Sequence, residues 1–145
     1  MQIKFGKVII VTNGIIKDYS LIYERLTKDY KFDRNASTLI IAVDGGAQNC
    51  LNMRLVPDIV IGDMDSITLK LIESITSGKK PIKFINSIPE KDESDTQLAV
   101  DYAVGLGAKR ILIVGAAGDR IDHTLANLFL LASPSAENSD IRILT

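Results

Sequence analysis

Short apolar runs recur along the whole chain, separated by amphipathic or polar stretches. The first run, from Lys7 to Thr12, is rich in β-branched residues and shows no alternation of apolar with polar positions. Such a run is typical of a strand buried on both faces, as in a parallel sheet. Similar runs follow at intervals, and together they predict strands at 7–12, 39–43, 59–61, 82–85, 111–114 and 141–144.

Helical spacing of apolar residues fills most of the intervals between these strands. It predicts helices over 18–30, 47–52, 67–76, 95–106 and 119–132, with Asp18, Ser66 and Asp119 as N-caps and Gly107 as a stop. In the fourth of these helices the residues expected to face inward are Leu98, Tyr102 and Leu106. Strands that alternate with helices predict an α/β fold. We expect a doubly wound, mostly parallel six-stranded sheet with helices on both faces, a Rossmann-like three-layer sandwich.

Composition narrows the class of protein. The chain has 145 residues, of which 46% are hydrophobic and 24% charged, and its formal net charge is −1. This predicts a single globular domain without the excess of positive charge that would indicate binding to nucleic acid or to an anionic membrane. No apolar run approaches the roughly 18 residues of a membrane helix, and no signal-peptide core is visible, so we expect a cytoplasmic protein. The lone cysteine, Cys50, is either a core residue or a nucleophile.

Acidic residues directly follow a predicted strand at Asp63 and Asp65. In an extended backbone, side chains two residues apart point the same way, so both carboxylates can share one target. Two carboxylates about 5 Å apart repel by roughly 3 kcal/mol at an effective dielectric of 20. A divalent cation such as Mg²⁺, which takes oxygen ligands, would offset that repulsion. Alternatively, one aspartate caps the next helix and the other is solvated.

Four successive predicted strands are followed by acids: Asp44, Asp63 with Asp65, Asp92 with Asp95, and Asp119 with Asp122. The carboxyl ends of parallel strands share one edge of the sheet, where open α/β folds bind ligands. Glycines near two of these strand ends, Gly45-Gly46 and 115–118, allow close backbone approach, and the following helix N-termini suit phosphates. The pattern predicts a metal–nucleotide site for phosphoryl chemistry, the alternative being helix caps and turns alone.

The segment 118–127 carries the only histidine of the chain. Arg120, His123 and Asn127 share the polar face of the predicted helix. Arg120 could reach a phosphate with its bidentate guanidinium, and His123 is either a surface or capping residue or part of the site. The chain contains neither a P-loop motif nor a Gly-x-Gly-x-x-Gly motif, which argues against those two modes of nucleotide binding.

Taken together, four blocks of the chain resemble the thiamine diphosphokinase family, also called thiamine pyrophosphokinase. The blocks are 44–47 (Asp-Gly-Gly-Ala), Pro57-Asp58 leading to 62–66 (Gly-Asp-Met-Asp-Ser), 91–96 (Lys-Asp-Glu-Ser-Asp-Thr) and 118–127. The family transfers a pyrophosphoryl group from ATP to the hydroxyl of thiamine, with Mg²⁺ required, and gives thiamine diphosphate and AMP. The first loop, 13–15 (Asn-Gly-Ile), departs from the glycine-rich turn of the family.

The resemblance implies roles for individual residues. Asp63, Asp65 and Asp95 are expected to hold Mg²⁺ and the ATP phosphates, and Asp92 to support the metal or the reacting hydroxyl. The residues expected to line the nucleotide site are Asp44, Gly45, Gly46, Thr96, Arg120, Asp122 and His123. The family implies ATP and thiamine as small-molecule partners and a homodimer with the active site near the interface.

The resemblance also implies a domain organisation. The family carries a smaller β-rich domain that completes the thiamine pocket. Residues 1–145 are expected to form the catalytic, ATP-binding domain, with that second domain absent from this chain. Two other functions remain open: a pyrophosphokinase acting on another alcohol, such as a hydroxymethylpterin, and a nucleotide-binding fragment without activity.

Overall fold

The computed structural model describes residues 6–29, 38–62, 73, 82–86, 95–115 and 140–144. They form six strands: β1 (Lys7–Val11), β2 (Thr38–Val43), β3 (Ile59–Gly62), β4 (Lys83–Asn86), β5 (Arg110–Val114) and β6 (Asp140–Leu144). The described helices are α1 (Tyr19–Lys28) after β1, α2 (Gly46–Asn52) after β2 and α3 (Asp95–Gly105) after β4. All six predicted strands are therefore confirmed, with ends that differ by one residue.

The strands form one sheet in the order β4-β3-β2-β1-β5-β6, and every neighbouring pair is parallel. β1 lies in the middle of the sheet, where Val11 pairs with Ala42 of β2 on one side and with Val114 of β5 on the other. The chain builds the sheet outward from β1 through β4 and then continues on the other side of β1. The strand order therefore reverses between β1 and β5, which is a topological switch point.

Side chains of β1 alternate between the two faces of the sheet. Ile9 and Val11 belong to the apolar cluster that also contains residues of α1 and α2. Val8 and Ile10 belong to the cluster on the other face, which contains residues of α3. Both faces are covered, which explains why the strand is apolar at consecutive positions. The predicted α/β sandwich with helices on both faces is confirmed.

The buried face of α3 differs from the predicted one. Leu98, Tyr102 and Leu106 were expected to point inward, but they are only partly buried. The buried residues of the helix are Thr96, Ala99, Val100 and Ala103. Their small side chains allow the helix to lie close to the sheet, so the larger residues pack along its flanks. Periodicity places apolar residues on one broad face, and residue size decides which part of that face contacts the sheet.

The ends of two helices follow the predicted chemistry. Asp18 caps α1, since its Oδ1 accepts a hydrogen bond from the Leu21 amide at 3.0 Å. Gly107 lies beyond the last turn of α3 with φ of 89°, a conformation in which glycine carries no Cβ penalty. The predicted helices 67–76 and 119–132 lie outside the described residues, apart from Glu73. Among the helices that are described, none has both the length and the apolar character needed to span a membrane.

Asp58 forms hydrogen bonds to two strands at the amino-terminal edge of the sheet. Its carboxylate accepts a hydrogen bond from the Ile40 amide at 2.8 Å, and its own amide donates to the Ile40 carbonyl at 2.8 Å. Its carbonyl also accepts a bond from the Lys83 amide at 3.0 Å. Asp58 therefore links β2 and β4 just before β3 begins, and this is a structural role at the edge opposite to the strand ends that carry the candidate acids.

Candidate functional site

The ends of β1 and β5 meet at the switch point. The amide and the hydroxyl of Thr12 both donate to the Val114 carbonyl, at 2.8 and 3.1 Å. Gly115 follows with φ of 78°, and a Cβ there would lie 3.1 Å from the Thr12 carbonyl oxygen. The backbone that leaves the two strands is therefore closely packed and fixed. Ligands of open parallel sheets bind in the crevice outside such strand ends.

Asp44 leaves β2 with a left-handed backbone conformation, φ 51°. Its amide donates to the Ile61 carbonyl of β3 at 2.9 Å, and its side-chain Oδ1 lies against Gly62, where a Cβ would overlap it. A non-glycine residue in this conformation is uncommon and concentrates at functional sites. The Asp44 carboxylate thus lies over Gly62, the last residue of β3. Gly62 immediately precedes Asp63 in the sequence.

Gly45 and Gly46 allow α2 to pack closely against β1. A Cβ at Gly46 would overlap the carbonyl oxygen of Val11 and lie 3.1 Å from the carbonyl carbon of Thr12. A Cβ at Gly45 would lie 3.2 Å from Cβ of Asn13. Only glycine at position 46 permits this approach without a shift of the backbone. The first turn of α2 therefore rests directly on the strand that ends at the switch point.

Asn49 joins three elements beside this contact. Its side-chain amide donates to the carbonyls of Thr12 and Gly14, at 2.8 and 2.9 Å. Its Oδ1 accepts a hydrogen bond from the Tyr19 hydroxyl at 2.8 Å, and that hydroxyl accepts one from Asn52 at 3.0 Å. Asn49 is 7% exposed and Thr12 is 4% exposed. A polar network that is buried at Asn49 and Thr12 therefore connects α2 with the start of α1 and with the loop between β1 and α1.

Asp95 and Thr96 begin α3. The helix follows β4 and ends four residues before β5, so its first turn faces the carboxyl edge of the sheet and its last turn faces the amino edge. Asp95 is half-buried, whereas Thr96 lies on the face that packs against the sheet and is 8% exposed. Asp95 thus lies at the same edge as Asp44, in agreement with its predicted position, and Thr96 contributes to helix packing.

The other predicted site residues lie outside the described residues: Asp63, Asp65, Asp92, Arg120, Asp122 and His123. Their roles stay predictions. Within the described ranges no three metal-ligating side chains come together. The oxygen donors that are described at this edge, Asp44 and Asp95, are of the kind that Mg²⁺ prefers, and Asp95 is one of the three predicted ligands.

A cavity of about 180 Å³ lies at the amino ends of β1, β5 and β6. Its charged lining is mixed, with Lys7, Arg110 and Arg142 beside Asp29 and Asp140. Arg142 also pairs with Asp140 at 3.2 Å. Because parallel sheets bind ligands at the carboxyl edge, the switch point is a stronger candidate site than this cavity at the amino edge.

Cys50 is a core residue. It is 0% exposed, and burial raises the pKa of its thiol to about 12, with the nearby charge of Asp58 contributing. A neutral, buried thiol is a poor nucleophile. The interpretation of Cys50 as a core residue is confirmed.

Asn49 was not predicted as a functional residue from the sequence. A signal for it was present, because Asn49 lies three residues after Gly46, on the stripe of α2 that also holds Ala47 and Cys50. A side-chain amide on a buried stripe requires hydrogen-bond partners, since burying it without them is unfavourable. The sequence alone could not indicate that these partners belong to the loop after β1.

Comparison with known proteins agrees with the fold. Residues 33–144 match the family described as "Thiamin pyrophosphokinase, catalytic domain". The thiamine pyrophosphokinase of Bacillus subtilis (strain 168) is 35% identical over 107 residues, which cover 74% of this chain. The chain spans about half the length of that curated relative, 49%.

Solved structures show the same relationship. The crystal structure of thiamine pyrophosphokinase from Bacillus subtilis superposes with a TM-score of 0.74 at 30% identity, and covers 95% of this chain and 60% of its own. The thiamin pyrophosphokinase family protein from Enterococcus faecalis gives a TM-score of 0.70 at 26% identity, over 95% of this chain and 61% of its own.

Proposed function

Because the chain belongs to the thiamine pyrophosphokinase family, we propose that the full-length protein transfers the pyrophosphoryl group of ATP to thiamine. The hydroxyl oxygen of thiamine forms a bond to the β-phosphorus, the bond from that phosphorus to the α–β bridging oxygen breaks, and AMP leaves. The hydroxyl proton is released. The observation that carries the proposal is the family match over residues 33–144, which include all the strand ends that bear the predicted acids.

The geometry of the described residues supports a nucleotide at the switch point. Asp44, Gly45 and Gly46 lie at the carboxyl edge of the sheet, as does the first turn of α3 with Asp95. We assign the nucleotide to the crevice beside these residues, with Thr96, Arg120, Asp122 and His123 near it. In-line positioning and charge neutralisation supply most of the catalysis of phosphoryl transfer, so the protein needs few groups that react covalently.

In this proposal Asp63, Asp65 and Asp95 hold Mg²⁺, and Asp92 supports the metal or the reacting hydroxyl. The metal would neutralise charge that develops on the phosphate oxygens. Removing one of two neighbouring carboxylates relieves repulsion between like charges in the metal-free protein. Asp63→Asn and Asp65→Asn should therefore leave the free energy of unfolding unchanged or slightly higher without metal, while turnover falls by about 100-fold or more.

The proposal extends to the assembly of the full-length protein. A small β-rich domain, in the part of the family's proteins beyond the matched region, would complete the thiamine pocket. Two copies of the full-length protein would form a homodimer. Sedimentation analysis of the full-length protein tests the second point, since a monomer at micromolar concentration would contradict it.

The decisive experiment measures nucleotide products. Full-length protein with Mg-ATP should form AMP only when thiamine is added, and ADP as the sole product would reject the proposal. A hydroxymethylpterin in place of thiamine tests the alternative acceptor. Binding of Mg-ATP without turnover at saturating thiamine would favour a nucleotide-binding module instead. Asp29→Asn is the matched control for the metal-site variants, because Asp29 is an exposed carboxylate at the C-terminal end of α1.

A further inference from the structure

The loop between β1 and α1 (residues 12–18, the β1–α1 loop) is held at both ends by one side chain. Near its start, Asn49 donates to the carbonyls of Thr12 and Gly14. At its far end the chain enters α1 at Tyr19, whose hydroxyl donates to Asn49 Oδ1. The side-chain amide of Asn49 therefore forms three hydrogen bonds to this region, two donated by Nδ2 and one accepted by Oδ1.

These bonds are directed at the switch point rather than at the core. α2 needs no polar residue on its buried stripe, where Ala47 and Cys50 pack against β1 and its neighbours. An apolar residue of similar shape, such as leucine, would fill that position but would leave the carbonyls of Thr12 and Gly14 without this donor. The amide therefore contributes something that packing does not, namely a fixed path for the backbone that leaves the central strand.

The start of the loop is fixed from a second side as well. The Thr12 amide and hydroxyl bind the Val114 carbonyl, and Gly115 packs against the Thr12 carbonyl. Asn13 and Ile15, by contrast, are exposed, and Ile15 has 58% of its surface accessible. A loop with a rigid base and exposed side chains at the ligand-binding edge has the arrangement of a preorganised binding element.

We propose that Asn49 is a positioning residue, whose amide holds the β1–α1 loop in the shape that receives the nucleotide. This inference rests on the proposed function only in placing a nucleotide at the switch point. Asn49 itself does not contact the nucleotide; it acts through the backbone of Thr12 and Gly14. Without the amide the loop must be ordered when the ligand binds, and that ordering weakens affinity.

The test measures Mg-ATP binding by calorimetry, without thiamine, on the full-length protein. Asn49→Leu should raise the Kd by about tenfold, equal to about 1.4 kcal/mol. Hydrogen exchange of the β1–α1 loop should become faster in the same nucleotide-free variant, while the amides of β1 keep their protection. Tyr19→Phe, which removes only the hydroxyl that orients the amide, should raise the Kd by about two- to fivefold and provides a second variant if Asn49→Leu does not fold.

The control is Asp58→Ala, which removes a hydrogen bond to buried backbone at the opposite edge of the sheet. It should lower stability and leave the Kd for Mg-ATP within about twofold. An equal rise in Kd for Asp58→Ala would show that stability alone explains the effect and would overturn the inference. An unchanged Kd in both Asn49→Leu and Tyr19→Phe would also overturn the inference.

The two proposals fail in different ways. Wild-type protein that binds Mg-ATP but forms no AMP with thiamine contradicts the proposed function alone, and the comparison of Kd values still decides the role of Asn49. Wild-type protein that does not bind Mg-ATP contradicts both.

Discussion

The contact of α2 with β1 gives the sharpest prediction about stability. In Gly46→Ala the new Cβ would overlap the carbonyl oxygen of Val11. This oxygen belongs to the central strand, which is paired on both sides and cannot move away, so α2 must shift instead. Overpacking of this kind costs about 1–3 kcal/mol, and the contact with backbone favours the upper end. The better helix propensity of alanine returns up to about 1 kcal/mol, which leaves a net loss of about 2 kcal/mol.

The matched control is Gly105→Ala at the end of α3. A Cβ at Gly105 meets nothing within 4 Å, so the substitution adds helix propensity without a clash. It should raise the free energy of unfolding by about 0.5–1 kcal/mol. Urea denaturation of both variants measures the difference, which we expect to be about 3 kcal/mol. If Gly46→Ala is as stable as Gly105→Ala, then α2 does not rest on the Val11 carbonyl and the reasoning is wrong.

The same displacement should affect the site, because Asn49 lies one turn beyond Gly46 on α2. Gly46→Ala should therefore weaken Mg-ATP binding, whereas Gly105→Ala should leave it unchanged. Calorimetry on the two variants tests this. Equal Kd values for Mg-ATP in both would show that the packing of α2 against β1 does not affect nucleotide binding.

Three further predictions concern single side chains. Asp58→Ala should lower the free energy of unfolding by about 2 kcal/mol because the buried Ile40 amide loses its acceptor, and Asp58→Asn, which keeps an acceptor oxygen, should lose less in urea denaturation. Asp18→Ala should lose about 1 kcal/mol with the N-cap of α1, and an unchanged midpoint would contradict the cap. The pKa of Cys50 is raised from 9.0 to about 12, so the unfolded state ionises first and stability should fall by up to about 1.4 kcal/mol per pH unit between these values. Cys50→Ala should lack that part of the pH dependence.

Most of the fold could be predicted from short-range pattern. β-branched runs without alternation indicated buried parallel strands, and all six runs are strands. Strand order is a different matter, since nothing local in the sequence specifies on which side of β1 the fifth strand is added. The buried face of α3 was also predicted wrongly, because Ala99 and Ala103 have smaller side chains than Leu98 or Tyr102 and yet are fully buried.

The candidate site could be predicted only in part. Acids after strands are visible in a sequence because the carboxyl ends of parallel strands share an edge, and Asp44 and Asp95 lie at that edge. The role of Asn49 depends on contacts with residues 30 or more positions away in the chain. Such contacts are set by the packing of α2 on β1, and no local motif encodes them.

The central position of β1 has a consequence for biosynthesis. Its partner β5 begins at Arg110, about 100 residues after β1, and ribosomes add roughly 5–20 residues per second. For about 5–20 seconds the nascent chain therefore carries β1 with one edge lacking its final neighbour, and an unpaired strand edge is a template for aggregation. The Thr12–Val114 bonds at the switch point can form only when that neighbour has arrived. The part of the molecule expected to bind nucleotide is thus completed only once β5 has been synthesised, so translation speed and chaperone supply should influence its yield before any ligand is met.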